Sequence, residues 1–158
     1  MAATVDGQAT GTDAYGIVQG DGGAVDKMSG TSGNDRLEGH AAFNQYYGGA
    51  GNDTFIISYK FAVESGAHQG ASTAFGDQYA YITDFGGAST WSATGNDFVA
   101  FSGFGAGATL TLSHEGTSGT SGAKLYYYTI TTAANEVFNV LINSVNGKAL
   151  ATGDYAFY

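Results

Sequence analysis

The sequence predicts an all-β protein, coiled in its first part and antiparallel in its second. Three observations point there. A nine-residue repeat runs through residues 21–56. Alternating apolar runs joined by Gly, Ser and Asn turns fill residues 107–158. No segment sustains a helical period. The 158 residues include 26 Gly, and only 12% are charged, yet 14% are aromatic (11 Tyr, 10 Phe, 1 Trp). Disordered chains are poor in such rings, so a folded, turn-rich domain is expected.

The repeat is legible with Gly30, Gly39 and Gly48 in register. The units are GTSGNDRLE at 30–38, GHAAFNQYY at 39–47 and GGAGNDTFI at 48–56, with a weaker copy, DGGAVDKMS, at 21–29. The sixth position reads Asp26, Asp35, Asn44, Asp53, and the eighth reads Met28, Leu37, Tyr46, Phe55. The template is G-G-x-G-x-D-x-U-x, with U apolar. The last copy matches it fully. The copy at 30–38 has Thr31 for the second Gly, and the other two are degenerate. Six residues make a turn and three make a short strand, so two units close one coil of about 18 residues. Asp35 and Asp53 then lie on one edge, one coil apart, with Asp26 and Asn44 on the opposite edge.

Beyond the repeat, YAYITDF at 79–85 reads as a strand, and GNDFVAF at 95–101 repeats the turn-strand grammar with Asp97 and Val99. ATLTLS at 108–113, KLYYYTIT at 124–131 and EVFNVLINSV at 136–145 form an antiparallel set, with a mobile loop expected from His114 to Gly122. Asn146-Gly147 marks a tight turn. Residues 1–20 read as a cover for the coil or a tail. We divide the chain into 1–20, 21–56 and 57–158, with 21–158 continuous.

Composition excludes several functions. Five Lys and Arg against 14 Asp and Glu leave a net charge of -9, which disfavours nucleic acid. No Cys is present, so disulfides, zinc-thiolate sites and Cys nucleophiles are out. No apolar run is long enough for a transmembrane helix. The start, Met1 to Asp6, has neither the basic nor the apolar region of a Sec signal. His40, His68 and His114 are scattered and read as surface loop positions. His114-Glu115 lacks the second His of the zinc-protease motif, and there is neither a nucleophile elbow nor a P-loop. We expect no enzymatic activity. Tyr126-Tyr127-Tyr128 is a possible sugar-stacking face, but alternation sends Tyr127 opposite to the other two. The Thr109/Thr111 and Thr129/Thr131 pairs reflect ordinary strand propensity.

The turns carry the chemistry. Calcium takes about six to eight oxygen ligands. Gly-rich turns aim carbonyls at a common point, and each Asp adds a carboxylate. One Gly-Asn-Asp would be an ordinary β-turn. Two copies 18 apart, with apolar residues in step, point to calcium.

These units resemble the calcium-binding nonapeptide repeats of RTX proteins, which form a parallel β-roll. The following region resembles the C-terminal domain of bacterial type I secretion substrates through Asp53-Thr54-Phe55, Ile82-Thr83-Asp84-Phe85, Asn96-Asp97-Phe98-Val99 and Asp154-Tyr155-Ala156-Phe157. The resemblance covers residues 21–158. It implies a short β-roll continued by an antiparallel β-sandwich-like C-terminal half. It also implies a calcium site from Gly30, Ser32 and Asp35 on one turn and Gly49, Gly51 and Asp53 on the next. The opposite edge would use Asp21, Gly23 and Asp26, then His40, Ala42 and Asn44. There Asn44 replaces an Asp, and the site is read as weak or empty. Asp97 is read equally as turn former or ligand, and Asp84 as structural first. Ala80 stands where the family often has Asp, and a long repeat array is absent.

The expectation is a secreted bacterial protein, extracellular or at the cell surface. It folds in extracellular calcium after passing type I secretion machinery, and self-assembles as a layer, filament or matrix component. The rivals are a calcium-dependent carbohydrate-binding adhesin and the secretion module of a larger protein. One good site makes a poor calcium buffer.

Overall fold

The computed structural model describes residues 1–66, 78–119 and 121–158. Among them the chain is nearly all β, with parallel and antiparallel pairing. β1 (Thr4–Val5) and β2 (Gln8–Ala9) form a hairpin. Its turn, Asp6-Gly7, has both φ values positive, at 50° and 81°, as two-residue hairpin turns require. Next come β3 (Val18–Gln19), β4 (Val25–Ser29), β5 (Arg36–Glu38), β6 (Phe43–Tyr47) and β7 (Thr54–Ser58). A six-residue helix, α1 (Tyr59–Glu64), follows β7. The remaining strands are β8 (Ala80–Phe85), β9 (Phe98–Ser102), β10 (Thr109–Thr117), β11 (Lys124–Thr131), β12 (Val137–Ser144) and β13 (Tyr155–Phe157).

From β3 to β9, successive strands alternate between two sheets. The larger sheet has the order β10-β11-β12-β8-β6-β4-β1-β2, and the smaller β13-β9-β7-β5-β3. β4, β6 and β8 are parallel, as are β3, β5, β7 and β9. The 18-residue spacing sets the register: Asp26 lies opposite Asn44, and Leu37 opposite Phe55. No helix among the described residues is long and apolar enough to cross a membrane.

Register stacks the apolar positions into two rows. One runs Val5, Met28, Tyr46, Ile82, Ile142, Tyr126 across the larger sheet. The other runs Val18, Leu37, Phe55, Val99, Tyr155 across the smaller. Met28, Leu37, Tyr46 and Phe55, the four apolar positions of the repeat, are at most 1% exposed. Tyr46 meets Phe55 edge-on at 5.8 Å, which ties the rows together.

The structure refines several expectations. Residues 1–20 are not a free tail: β1 pairs with β4, and β3 adds a rung beside β5. The antiparallel strands do not form a separate layer, because β12 lies parallel to β8 in the larger sheet. β13 likewise joins β9 in the smaller one. The loop expected from His114 is corrected, since β10 continues to Thr117. A bulge at Ser113 carries it past an irregular register, and His114 to Thr117 then pair with Tyr127 to Lys124. Tyr126 and Tyr128 pack in the main core and Tyr127 in a second cluster with Leu125 and Leu141, so alternation buries all three. His40 is not a surface loop residue. Its ring stacks on Phe61 of α1 at 3.6 Å, and its side chain is 18% exposed. His114 is exposed on β10, and His68 lies outside the described residues.

Phe55→Ala removes the ring that joins the two rows. A destabilisation of about 3–5 kcal/mol is expected in urea unfolding. A loss below about 1 kcal/mol would contradict this account of the core.

Candidate metal centre

Three Gly-Asn-Asp turns, at 33–35, 51–53 and 95–97, directly precede β5, β7 and β9. Those strands are neighbours, so the turns stack. Their side chains interlock in both directions. The Asp35 amide donates to Asp53 Oδ1 at 2.8 Å, and the Asp53 amide donates to Asp97 Oδ1 at 2.9 Å. In the opposite sense, the Asn52 amide donates to Asn34 Oδ1 at 2.8 Å, and the Asn96 amide to Asn52 Oδ1 at 2.9 Å. Amide bonds to a carboxylate are stronger than those to neutral acceptors.

Glycine makes the stacking possible. Gly49 and Gly51 adopt φ of 96° and 117°. A Cβ on Gly49 would collide with Thr31 O, and one on Gly51 would sit 2.5 Å from Gly33 O. The carbonyls of Thr31 and Gly33 therefore face the following turn beside the column of aspartates.

All four carboxylates accept hydrogen bonds, but one buried oxygen has no donor. Asp35 Oδ2 accepts the Thr31 amide at 2.6 Å and the Thr31 hydroxyl at 2.9 Å. Asp84, near the end of β8, accepts the Gly48 and Gly49 amides, both at 2.9 Å. Asp97 Oδ2 accepts the Gly86 amide at 2.7 Å. Because Asp84 takes the amides at the start of the second turn, Asp53 Oδ2 is left buried and without a hydrogen-bond donor. Asp53 is 1% exposed.

The electrostatics follow. Burial, helped by Asp97, Asp35 and Asp84, pushes the Asp53 carboxyl up to about 7. Burial, with a smaller push from Asp84, raises Asp97 to about 6. Asp84 is raised by burial against the pull of its two amides. A buried oxygen with no donor is costly. A proton or a cation relieves it, and a hard cation suits a shell of carboxylates and carbonyls.

Among the residues singled out in the sequence, Asp35, Asp53, Asp84 and Asp97 gather here. Gly30, Gly49 and Gly51 shape the turns, and Ser32 is exposed. Asp26 and Asn44 lie together on the other edge, but both are engaged. Asp26 accepts the His40 amide at 2.8 Å and the Gly22 amide at 3.2 Å. Asn44 accepts the Ala41 amide and donates to the Ala41 and Tyr79 carbonyls. Sequence reasoning missed Asp6. The first hairpin folds it back so that its carboxylate, with those of Asp21 and Asp26, offers ligand atoms within 4.8 Å of one another. The Asp6-Gly7 turn signal was the available clue. Asp6 Oδ1 also accepts the Lys27 amide at 2.8 Å. Comparison with family models, curated proteins and solved structures returns no match, so the centre stands on its own geometry.

Asp53 and Asp97 hold their protons more tightly folded than unfolded. Between about pH 4 and pH 7 the folded state thus binds more protons, and stability falls as pH rises. In chelator, circular dichroism is expected to show a larger folded fraction at pH 5 than at pH 8. Asp53→Asn should flatten that difference. A folded fraction that climbs from pH 5 to pH 8 would contradict the assignment.

Proposed function

We propose that this chain is a secreted calcium-binding protein of the RTX type, with a structural role at a cell surface or in an extracellular matrix. The coil from β3 to β9 is read as a short parallel β-roll. The observation that carries the proposal is Asp53 Oδ2, a buried carboxylate oxygen without a donor at the centre of stacked, Gly-shaped turns. Asp35 and Asp53, with the carbonyls of Gly30, Ser32, Gly49 and Gly51, are the proposed ligands. Asp84, near the end of β8, and Asp97, in the third Gly-Asn-Asp turn, add negative charge beside them.

Calcium would supply the positive charge that these carboxylates lack. The protein's part is to hold acids and carbonyls on adjacent turns in register. A ligand that binds only the folded state stabilises it by RT ln(1 + [L]/Kd), about 2.7 kcal/mol at a hundredfold excess over Kd. Where calcium is scarce, the mutually repelling acids keep the chain loose, which suits passage through type I secretion machinery. At extracellular, roughly millimolar calcium the same chain folds. No catalytic role is assigned.

A second reading, a carbohydrate-binding adhesin, is favoured by one feature. The outer face of the smaller sheet holds a depression of about 520 Å³ lined by Arg36, Glu38, Ile56, Phe98 and Tyr158. Aromatic rings beside polar groups suit a sugar ring.

The deciding experiment is size-exclusion chromatography with circular dichroism, in chelator and in millimolar calcium. An expanded chain in chelator should become compact and β-rich in calcium, and Asp35→Ala with Asp53→Ala should abolish the response. The same compact species in both buffers would overturn the calcium reading.

A further inference from the structure

We infer that the depression beside Trp91 is a binding site for a neutral oligosaccharide, with the indole as stacking platform and Asn52 and Asp154 as the groups that meet sugar hydroxyls. The inference rests on the carbohydrate-binding reading and gives it a defined subsite.

The third turn differs from the two before it. Its Gly86, Gly87 and Gly95 take the places held one coil earlier by Gly48, Gly49 and Gly51. A Cβ on Gly95 would sit 2.6 Å from Gly51 O, as one on Gly51 would sit 2.5 Å from Gly33 O. The Asn96 amide donates to Asn52 as the Asn52 amide does to Asn34. Between Gly87 and Gly95, however, residues 88–94 stand where the earlier turns have a single residue, Ser32 or Ala50. This insertion carries the chain's one tryptophan.

The insertion is pinned along its length. Ser89, at a φ of 56°, donates its amide to Asp154 Oδ2 at 2.7 Å and its hydroxyl to Ala149 O at 2.5 Å. Asn146 Nδ2 donates to Ala88 O at 2.8 Å, and Lys148 Nζ to Thr90 Oγ1 at 2.9 Å. Asn96 accepts the Ser92 amide at 2.7 Å and donates to Ser92 O at 2.6 Å. A loop fixed in this way needs little further ordering when a ligand arrives, which lowers the cost of binding. Yet Trp91, its largest apolar side chain, is 78% exposed. The bonds thus hold an indole in solvent instead of burying it.

Trp91 borders a depression of about 520 Å³ whose walls include Asn52, Asn96, Phe98 and Asp154. Small-ligand sites span roughly 300–1,000 Å³. A flat apolar ring beside hydrogen-bonding groups matches a sugar, which has an apolar C–H face and a rim of hydroxyls. Asn52 Oδ1 takes the Asn96 amide, which leaves Nδ2 as a donor. Asp154 takes the Ser89 and Ala151 amides on Oδ2, which leaves Oδ1 as an acceptor. Charge disfavours an ionic ligand. An anion meets a chain of net charge -9. A cation meets Lys148, held at Thr90. Asp97, the other acid of the wall, is buried with both oxygens on amides. Phe98 also lines the depression on the outer face of the smaller sheet, so the two adjoin at that residue. That continuity suits several linked sugar units over one.

The test uses the full chain in millimolar calcium. Trp91 is the only tryptophan, so its fluorescence reports this depression alone. Titration with maltotetraose, cellotetraose, laminaritetraose and N-acetylchitotetraose should shift its emission to shorter wavelength for at least one of them. In calorimetry with that sugar, Trp91→Ala should weaken binding about tenfold, and Trp91→Tyr should keep most of it. Because Trp91 is exposed, both variants should fold, which circular dichroism checks. Neither a fluorescence change nor heat with any of these sugars would overturn the inference and the carbohydrate reading together. Heat without a fluorescence change, or binding that Trp91→Ala leaves intact and Arg36→Ala abolishes, would overturn the inference alone. A fluorescence change with tetramethylammonium and not with the sugars would assign the ring to a cation and overturn it as well. The calcium response, read on the same samples in chelator, decides the calcium reading separately.

Discussion

The column of Asp35, Asp53 and Asp97 is where the coil is held in register and where it is weakest. Each of the later carboxylates accepts the amide of its counterpart one coil earlier. These bonds lock turn to turn in a way that short strands alone do not, since β5 has only three residues. The same arrangement gathers like charges and buries two of them, Asp53 most deeply. Asp53 therefore contributes a strong bond through one oxygen and a desolvation cost through the other. The balance between the two depends on what satisfies the second oxygen.

The asparagine column offsets part of this tension. Asn34 and Asn52 accept amides from the following coil, in the direction opposite to the aspartates. Neutral acceptors supply registration without repulsion. Behind both columns, the rows through Met28 and Tyr46 and through Leu37 and Phe55 exclude water. Polar registration at the turns and apolar rows within have the same 18-residue origin, so a slip in one would disrupt the other. The glycines Gly49 and Gly51 let the backbone pass close enough for both to hold.

Charge is unevenly distributed, and the distribution connects the two halves. Acidic groups crowd the turns, while the β10–β11 hairpin is nearly neutral. The larger sheet runs continuously from that hairpin through β12 and β8 to the coil. Ordering of the coil therefore also orders the strands on which the hairpin is built.

By itself, the sequence determined what repeats locally. The apolar eighth positions, the facing of Asp35 and Asp53 and the all-β class follow from a period of nine, because each unit carries its own turn and strand. Tertiary structure decided what depends on distant pairing. β12 settles beside β8 and β13 beside β9 through registers that no local pattern encodes. β10 outlasts its expected end because β11 lies opposite with free partners. His40 is drawn under α1, a helix too short to leave a period. Asp6 reaches Asp21 and Asp26 only once the first hairpin folds back on β4. The orphaned oxygen of Asp53 arises because Asp84, 31 residues further on, claims the Gly48 and Gly49 amides. Spacing shows which groups can meet, but competition for donors is settled only when the whole chain is packed.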